Sequence, residues 1–313
     1  MLSKERLPSP GRPFGRIGWV FCLVLVLYQG GGYLLCLLAS RIMPLYAGTV
    51  SAALIIQLIC LYALALPAAR WLLPDRTVTL PPKKRRLPPL LAVRLFLVAL
   101  AMLFTAALAT AAALFWLAPD LINPLSLLVT PDSLPILIVI GVVLAPIGEE
   151  LLFRGVLLRA LGDYGDGTCI FLSGLMFGLF HLNLYQIFYA AVLGAFFAWL
   201  VRRTGLLRCA VIFHILINLL GLVALPWISR QTDPTVLTAF GLVLVAVIIF
   251  GFVQFAFRAA YLSFEPGPLP LSFGRKLLLA VTRPGMLVFL AACVAFTVTA
   301  ALGLSILPEL YLQ

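Results

Sequence analysis

The chain has 313 residues, of which 63% are hydrophobic and 11% charged, and its mean hydropathy is +1.14. That excludes an ordinary soluble globular protein and leaves a polytopic membrane protein with little extramembrane mass. The net charge of +11 would suit a nucleic-acid partner, but the basic residues collect in loops between apolar runs, so none is expected.

A helix needs about 17–25 apolar residues to cross a ~30 Å hydrocarbon core. In chain order such runs fall at 17–39, 48–73, 90–118, 134–160, 168–183, 185–201, 207–227, 235–257 and 284–307. The expected fold is an all-α transmembrane helix bundle of about nine spans, eight being possible, with no soluble domain. The first run is too long for a signal-peptide core and is followed by more spans, so it reads as a retained helix. The fifth and sixth runs are short and almost touch, which predicts a tight hairpin broken near Leu182–Tyr185. Proline-rich basic loops at 74–89 and 261–283 set off an N-terminal pair of helices (1–89), a central set (90–227) and a closing pair (228–313). The six cysteines show no metal-ligand spacing and read as small packing residues.

With the N-terminus inside, nineteen of the 22 basic residues fall on the inner side, including Lys83, Lys84, Arg85 and Arg86. Only Arg41 and Arg230 fall outside, and Arg154 lies within a span. That asymmetry is the positive-inside rule. It predicts cytoplasmic basic loops and Gln313 on the far side. Short loops and Ala/Leu-rich helices read as those of a bacterial inner (cell) membrane protein. The stretch PPKKRRLPP is also suited to anionic lipid headgroups.

The chain has two histidines, His181 and His214, and both lie inside apolar runs. The adjacent Glu149 and Glu150 also lie well inside one. A charge near the bilayer centre costs roughly 2.5–3.5 kcal/mol on insertion scales, so such residues mark a functional site by default. In Ala145-Pro-Ile-Gly-Glu-Glu-Leu-Leu-Phe-Arg154, Glu150 and Arg154 are four apart on one helical face and can pair. Glu149 lies about 100° round the helix, with Phe153 as its neighbour one turn on. The spacing therefore predicts a supporting role for Glu150 and a chemical one for Glu149.

The second motif, Ser173-Gly-Leu-Met-Phe-Gly-Leu-Phe-His181, puts Gly174, Gly178 and His181 on one face. A neighbouring helix can approach closely there, and Phe177 can wall a pocket. The third, Phe213-His214-Ile-Leu-Ile-Asn218, sets an imidazole and a carboxamide one turn apart, both able to donate to an oxyanion. Counting ~1.5 Å per residue from the cytoplasmic helix ends puts Glu149 about 16 Å deep, His181 about 20 Å and His214 about 9 Å. Their convergence requires tilted helices or a spanning helix that starts below the surface.

Glu149-Glu150-xxx-Arg154, Phe177-xxx-His181 and His214-xxx-Asn218, in that order, resemble the CAAX protease and bacteriocin-processing family of intramembrane endopeptidases, which includes the type II CAAX prenyl proteases. The resemblance covers roughly residues 135–225. It implies hydrolysis of a peptide bond in a membrane-associated protein or peptide. Glu149 would be the general base, His181 would hold the water, His214 and Asn218 would bind the oxyanion, and Glu150–Arg154 would be the supporting pair.

No cofactor is favoured. Zinc held by Glu149, His181 and His214 is the mechanistic alternative, since two histidines and a carboxylate leave a position open for water. Cys209 lies on a different face from His214, which argues against a cysteine protease. Two non-proteolytic functions use the same residues: a proton- or cation-coupled transporter, and a scaffold that keeps the fold without catalysis. The chain shows neither inverted repeats nor paired broken helices, and a scaffold has no need of Glu149.

Overall fold

The computed structural model describes residues 11–47, 49–73, 86–125, 133–259 and 264–302, and every regular element among them is helical. The helices, in chain order, are α1 (Arg12–Ile42), α2 (Val50–Leu72), α3 (Pro89–Leu117), α4 (Leu134–Ala160) and α5 (Asp166–Phe180). They continue with α6 (Leu184–Thr204), α7 (Leu207–Ser229), α8 (Pro234–Arg258), α9 (Phe273–Val281) and α10 (Pro284–Ala301). All but α5 and α9 are long and apolar enough to cross a membrane, which makes eight. The chain is an integral multi-pass membrane protein. The fifth of the nine expected spans is the 15-residue α5, which extends only about 22 Å at 1.5 Å per residue. The count is therefore eight long helices and one short apolar one. Lys83, Lys84, Arg85 and Gln313, on which part of the orientation rests, lie outside the described residues.

The α5–α6 hairpin is the most intimate pair, and its break falls where the short runs predict. Helix α5 stops at Phe180, Leu182 takes φ 52°, and Asn183 caps α6 by accepting from the Tyr185 amide at 3.0 Å. A left-handed non-glycine residue costs roughly 1–2 kcal/mol, and this one directly follows His181. Glycines set the distance between the two helices. A Cβ on Gly174 would lie 2.7 Å from Ala191 O and from Ala195 N, and one on Gly178 would run into Ile187 O. Neither backbone can yield. Gly178→Ala is thus expected to destabilise the protein by about 1–3 kcal/mol through overpacking, read as a lower thermal midpoint in detergent.

Around this hairpin, α3 packs on α6, α8 lies against α3, α7 and α2 flank α4, and the first span pairs with the last, α1 with α10. Helix α4 widens into π turns at Ile138–Leu144 and Leu151–Leu157, on either side of the turn that carries Pro146, Glu149 and Glu150. Such turns rotate the residues that follow relative to a regular helix and often occur at functional sites.

The stretch 261–283, expected as a loop, contains α9, and this segment covers one end of the central helices. Asp166, buried at the start of α5, accepts from Arg202 Nε at 2.6 Å and from the Glu265 amide at 3.1 Å. The buried Lys276 ammonium donates to the carbonyls of Tyr164 (2.9 Å) and Pro266 (2.7 Å). Gly165 and Gly267, both at positive φ, let the two backbones touch. Arg202, Thr204 and Leu206, at the end of α6 and the turn after it, are buried. Helix α7 follows directly, and its His214 comes within 3.8 Å of Glu149.

Candidate active site

Glu150 and Arg154 form the expected pair. Arg154 Nη1 lies 2.9 Å from Glu150 Oε1, and both side chains are fully buried. The guanidinium also donates to the Gly194 carbonyl at 2.9 Å and stacks over the Phe177 ring, 4.4 Å from its centroid. Glu150 does more than the spacing foretold. The same oxygen lies 3.0 Å from His214 Nδ1, so one carboxylate ties α4 to α7 while neutralising the arginine. Its other oxygen is buried without a hydrogen-bond partner.

Glu149 is placed differently. Its side chain keeps 20% exposure, forms no ion pair with Arg154 although it lies within electrostatic range of it, and has its carboxylate Oε2 3.8 Å from His214 Nε2. The two ring nitrogens of His214 thus face the two glutamates. Because Nδ1–H donates to Glu150, Nε2 is the nitrogen that points to Glu149. His181 is fixed in the same sense. Its Nδ1 lies 2.8 Å from the Phe177 carbonyl, which can only accept, so Nδ1 carries the proton and Nε2 remains available. Asn218 Nδ2 donates to the Gly141 carbonyl at 2.9 Å, which leaves its second N–H. That carbonyl lies in the first π turn of α4.

Residues 131–220 match the family described as Type II CAAX prenyl endopeptidase Rce1-like. The match covers 90 of the 313 residues. No curated protein and no solved structure matches the chain. The match spans all three motifs, and the activity its description names is that of an endopeptidase.

Phe177 is the hub of this site. Its ring meets His181 edge-on at 4.8 Å and His214 at 5.7 Å, so it holds the two imidazoles apart while bearing the arginine on its face. Phe153, one turn beyond Glu149, packs against Phe21, Phe177 and Phe180 and closes the apolar side. Phe197 of α6 lies against His214 at 5.7 Å.

Several contributors escaped the sequence reading. Tyr62 of α2 donates to the Leu144 carbonyl at 2.8 Å and packs against Gly148, where a Cβ would meet its ring 3.0 Å away. Helix α2 thus braces the turn that carries both glutamates. Tyr62 and Tyr189 also lie within electrostatic range of Glu149, and Gln186 hydrogen-bonds the Tyr189 hydroxyl. One tyrosine in a span has no spacing that would single it out. Carbonyl partners such as Gly194 and Gly141 have no side-chain signature at all. Among the described residues no three His, Cys, Asp or Glu side chains gather into a metal-ligand set.

Proposed function

We propose that the protein is an intramembrane endopeptidase in which Glu149 activates water to cleave a membrane-associated protein or peptide substrate. The observation that carries this reading is the unequal use of the two glutamates. Glu150 is buried between Arg154 and His214, whereas Glu149 is part-exposed and free of the arginine. A general base must reach water and must not be held as a counter-ion.

The reaction then runs as follows. Glu149 takes a proton from water as the oxygen attacks the scissile carbonyl. His181 Nε2, free of the Phe177 carbonyl, accepts a hydrogen bond from that water and orients it. Charge gathers on the carbonyl oxygen, where the second Asn218 N–H and His214 Nε2 are suited to donate. To donate from Nε2 while Nδ1–H is held by Glu150, the His214 ring must carry both protons. The proton taken by Glu149 then passes to the leaving amine, directly or through His181, so that water is consumed and two termini form. Burial by Phe153, Phe177 and Phe197 limits bulk water around this centre, which strengthens every such interaction.

The orientation with basic loops in the cytoplasm completes the proposal, with the site opening toward that half. An inner-membrane setting and a prenylated or other membrane-anchored tail as substrate fit this reading.

A metal-free mechanism has a measurable signature. Purified active protein is expected to hold no stoichiometric zinc and to keep cleaving after exhaustive treatment with a strong chelator. His214→Ala and Asn218→Ala should each slow turnover by roughly 10²–10³-fold with little change in KM, as for loss of an oxyanion donor. One zinc per chain that tracks activity, with Asn218→Ala nearly silent, would sink the glutamate mechanism.

A further inference from the structure

Helices α3 and α8 enclose a groove of about 440 Å³ at one end of the bundle, lined by Arg94, Gln254, Phe257 and Arg258. The two arginines come from opposite parts of the chain. Antiparallel packing brings the start of α3 beside the end of α8. Both are half-buried, and among the described residues no carboxylate lines the groove. Arg258 Nη1 donates to the Gln254 side-chain oxygen at 2.9 Å, a neutral partner that orients the guanidinium and leaves its charge uncompensated. The groove cannot close by sliding one helix along the other. Two turns before Arg258, Gly251 is pressed against α3, where a Cβ would meet Leu97 and Ala101 without room to yield. Phe257, which is 73% exposed, forms an apolar rim beside this charged floor.

Two guanidiniums held in one groove repel each other unless an anion lies between them. Arginine forks match phosphate oxygens with paired, charge-assisted bonds. The position, at a helix end on the side where basic residues predominate, is that of a lipid headgroup, and an exposed ring beside it suits an acyl chain. We propose that the Arg94–Arg258 groove binds a phosphate-bearing anion, the headgroup of an anionic phospholipid. None of its residues belongs to the three motifs, so the site stands apart from the proposed proteolysis.

The test uses the full-length chain in a neutral detergent, titrated with phosphatidylglycerol, phosphatidylcholine or inorganic phosphate and read by native mass spectrometry. Phosphatidylglycerol should be retained in preference to phosphatidylcholine. Combined Arg94→Gln and Arg258→Gln should weaken that retention by on the order of tenfold, whereas Arg275→Gln, at an exposed arginine of α9, should leave it unchanged. Failure of inorganic phosphate to displace the lipid assigns the groove to the membrane, and displacement assigns it to free phosphate; dependence on the arginines supports the anion site in both cases. Equal retention of phosphatidylglycerol by wild type and the double variant, or loss to the same degree in Arg275→Gln, overturns it. Should the double variant unfold, either single glutamine variant gives the same comparison.

Discussion

Glu149→Gln is expected to abolish cleavage while leaving a folded protein of normal abundance. Glutamine keeps the size and hydrogen-bonding outline of the side chain but cannot take a proton from water. Loss of a general base typically lowers turnover by about 10²–10⁴-fold. Nothing in the packing should change, because Glu149 is part-exposed, pairs with no arginine, and lies 3.8 Å from the nearest histidine nitrogen. Turnover in proteoliposomes, compared with thermal unfolding of the same preparation, checks both halves. Residual activity near wild type would remove Glu149 from the chemistry. An equal loss of folded protein would make it a structural residue.

The second large effect is on stability. Glu150→Ala strands the Arg154 guanidinium inside the bundle, and Arg154→Ala strands the Glu150 carboxylate. Breaking one partner out of a buried pair costs about 3–5 kcal/mol, a large share of the margin of most proteins. Both variants should therefore accumulate poorly and unfold early. Glu150→Ala also frees His214 Nδ1 from its 3.0 Å contact, so whatever folds should lose activity as well. Replacing the pair together should restore more stability than either single change loses, because no buried charge is left alone. A double variant as unstable as the sum of the two singles would show that the pair is not the source of the effect.

The division between the glutamates was legible because helical periodicity is local. Residues four apart share a face wherever the helix sits, so Glu150 finds Arg154 regardless of the fold. The small-residue face of α5 was legible for the same reason. The third contact of Glu150 was not. His214 lies on a separate helix, and the depth count put it well above Glu149, since that count assumed that every helix starts at the membrane surface. The structure instead brings His214 Nε2 within 3.8 Å of Glu149, because helices cross and pack at angles that a count along each one cannot register. The stretch 261–283 reads as a loop by composition. Its proline content and basic charge are real, but Ser272 caps a helix within it.

By itself, the order of residues determined that this chain lives in a membrane, that its polar groups collect in three central segments, and that Glu150 and Arg154 pair. Each follows from composition or from the 3.6-residue turn, and neither depends on distant parts of the chain. Only the tertiary structure decided which helices meet. It brought Tyr62 from α2 to the glutamate turn, made the Gly194 and Gly141 carbonyls into partners, and joined Arg94 to Arg258. Those contacts rest on helix pairing and on backbone atoms common to every residue, and neither leaves a mark in the spacing of side chains.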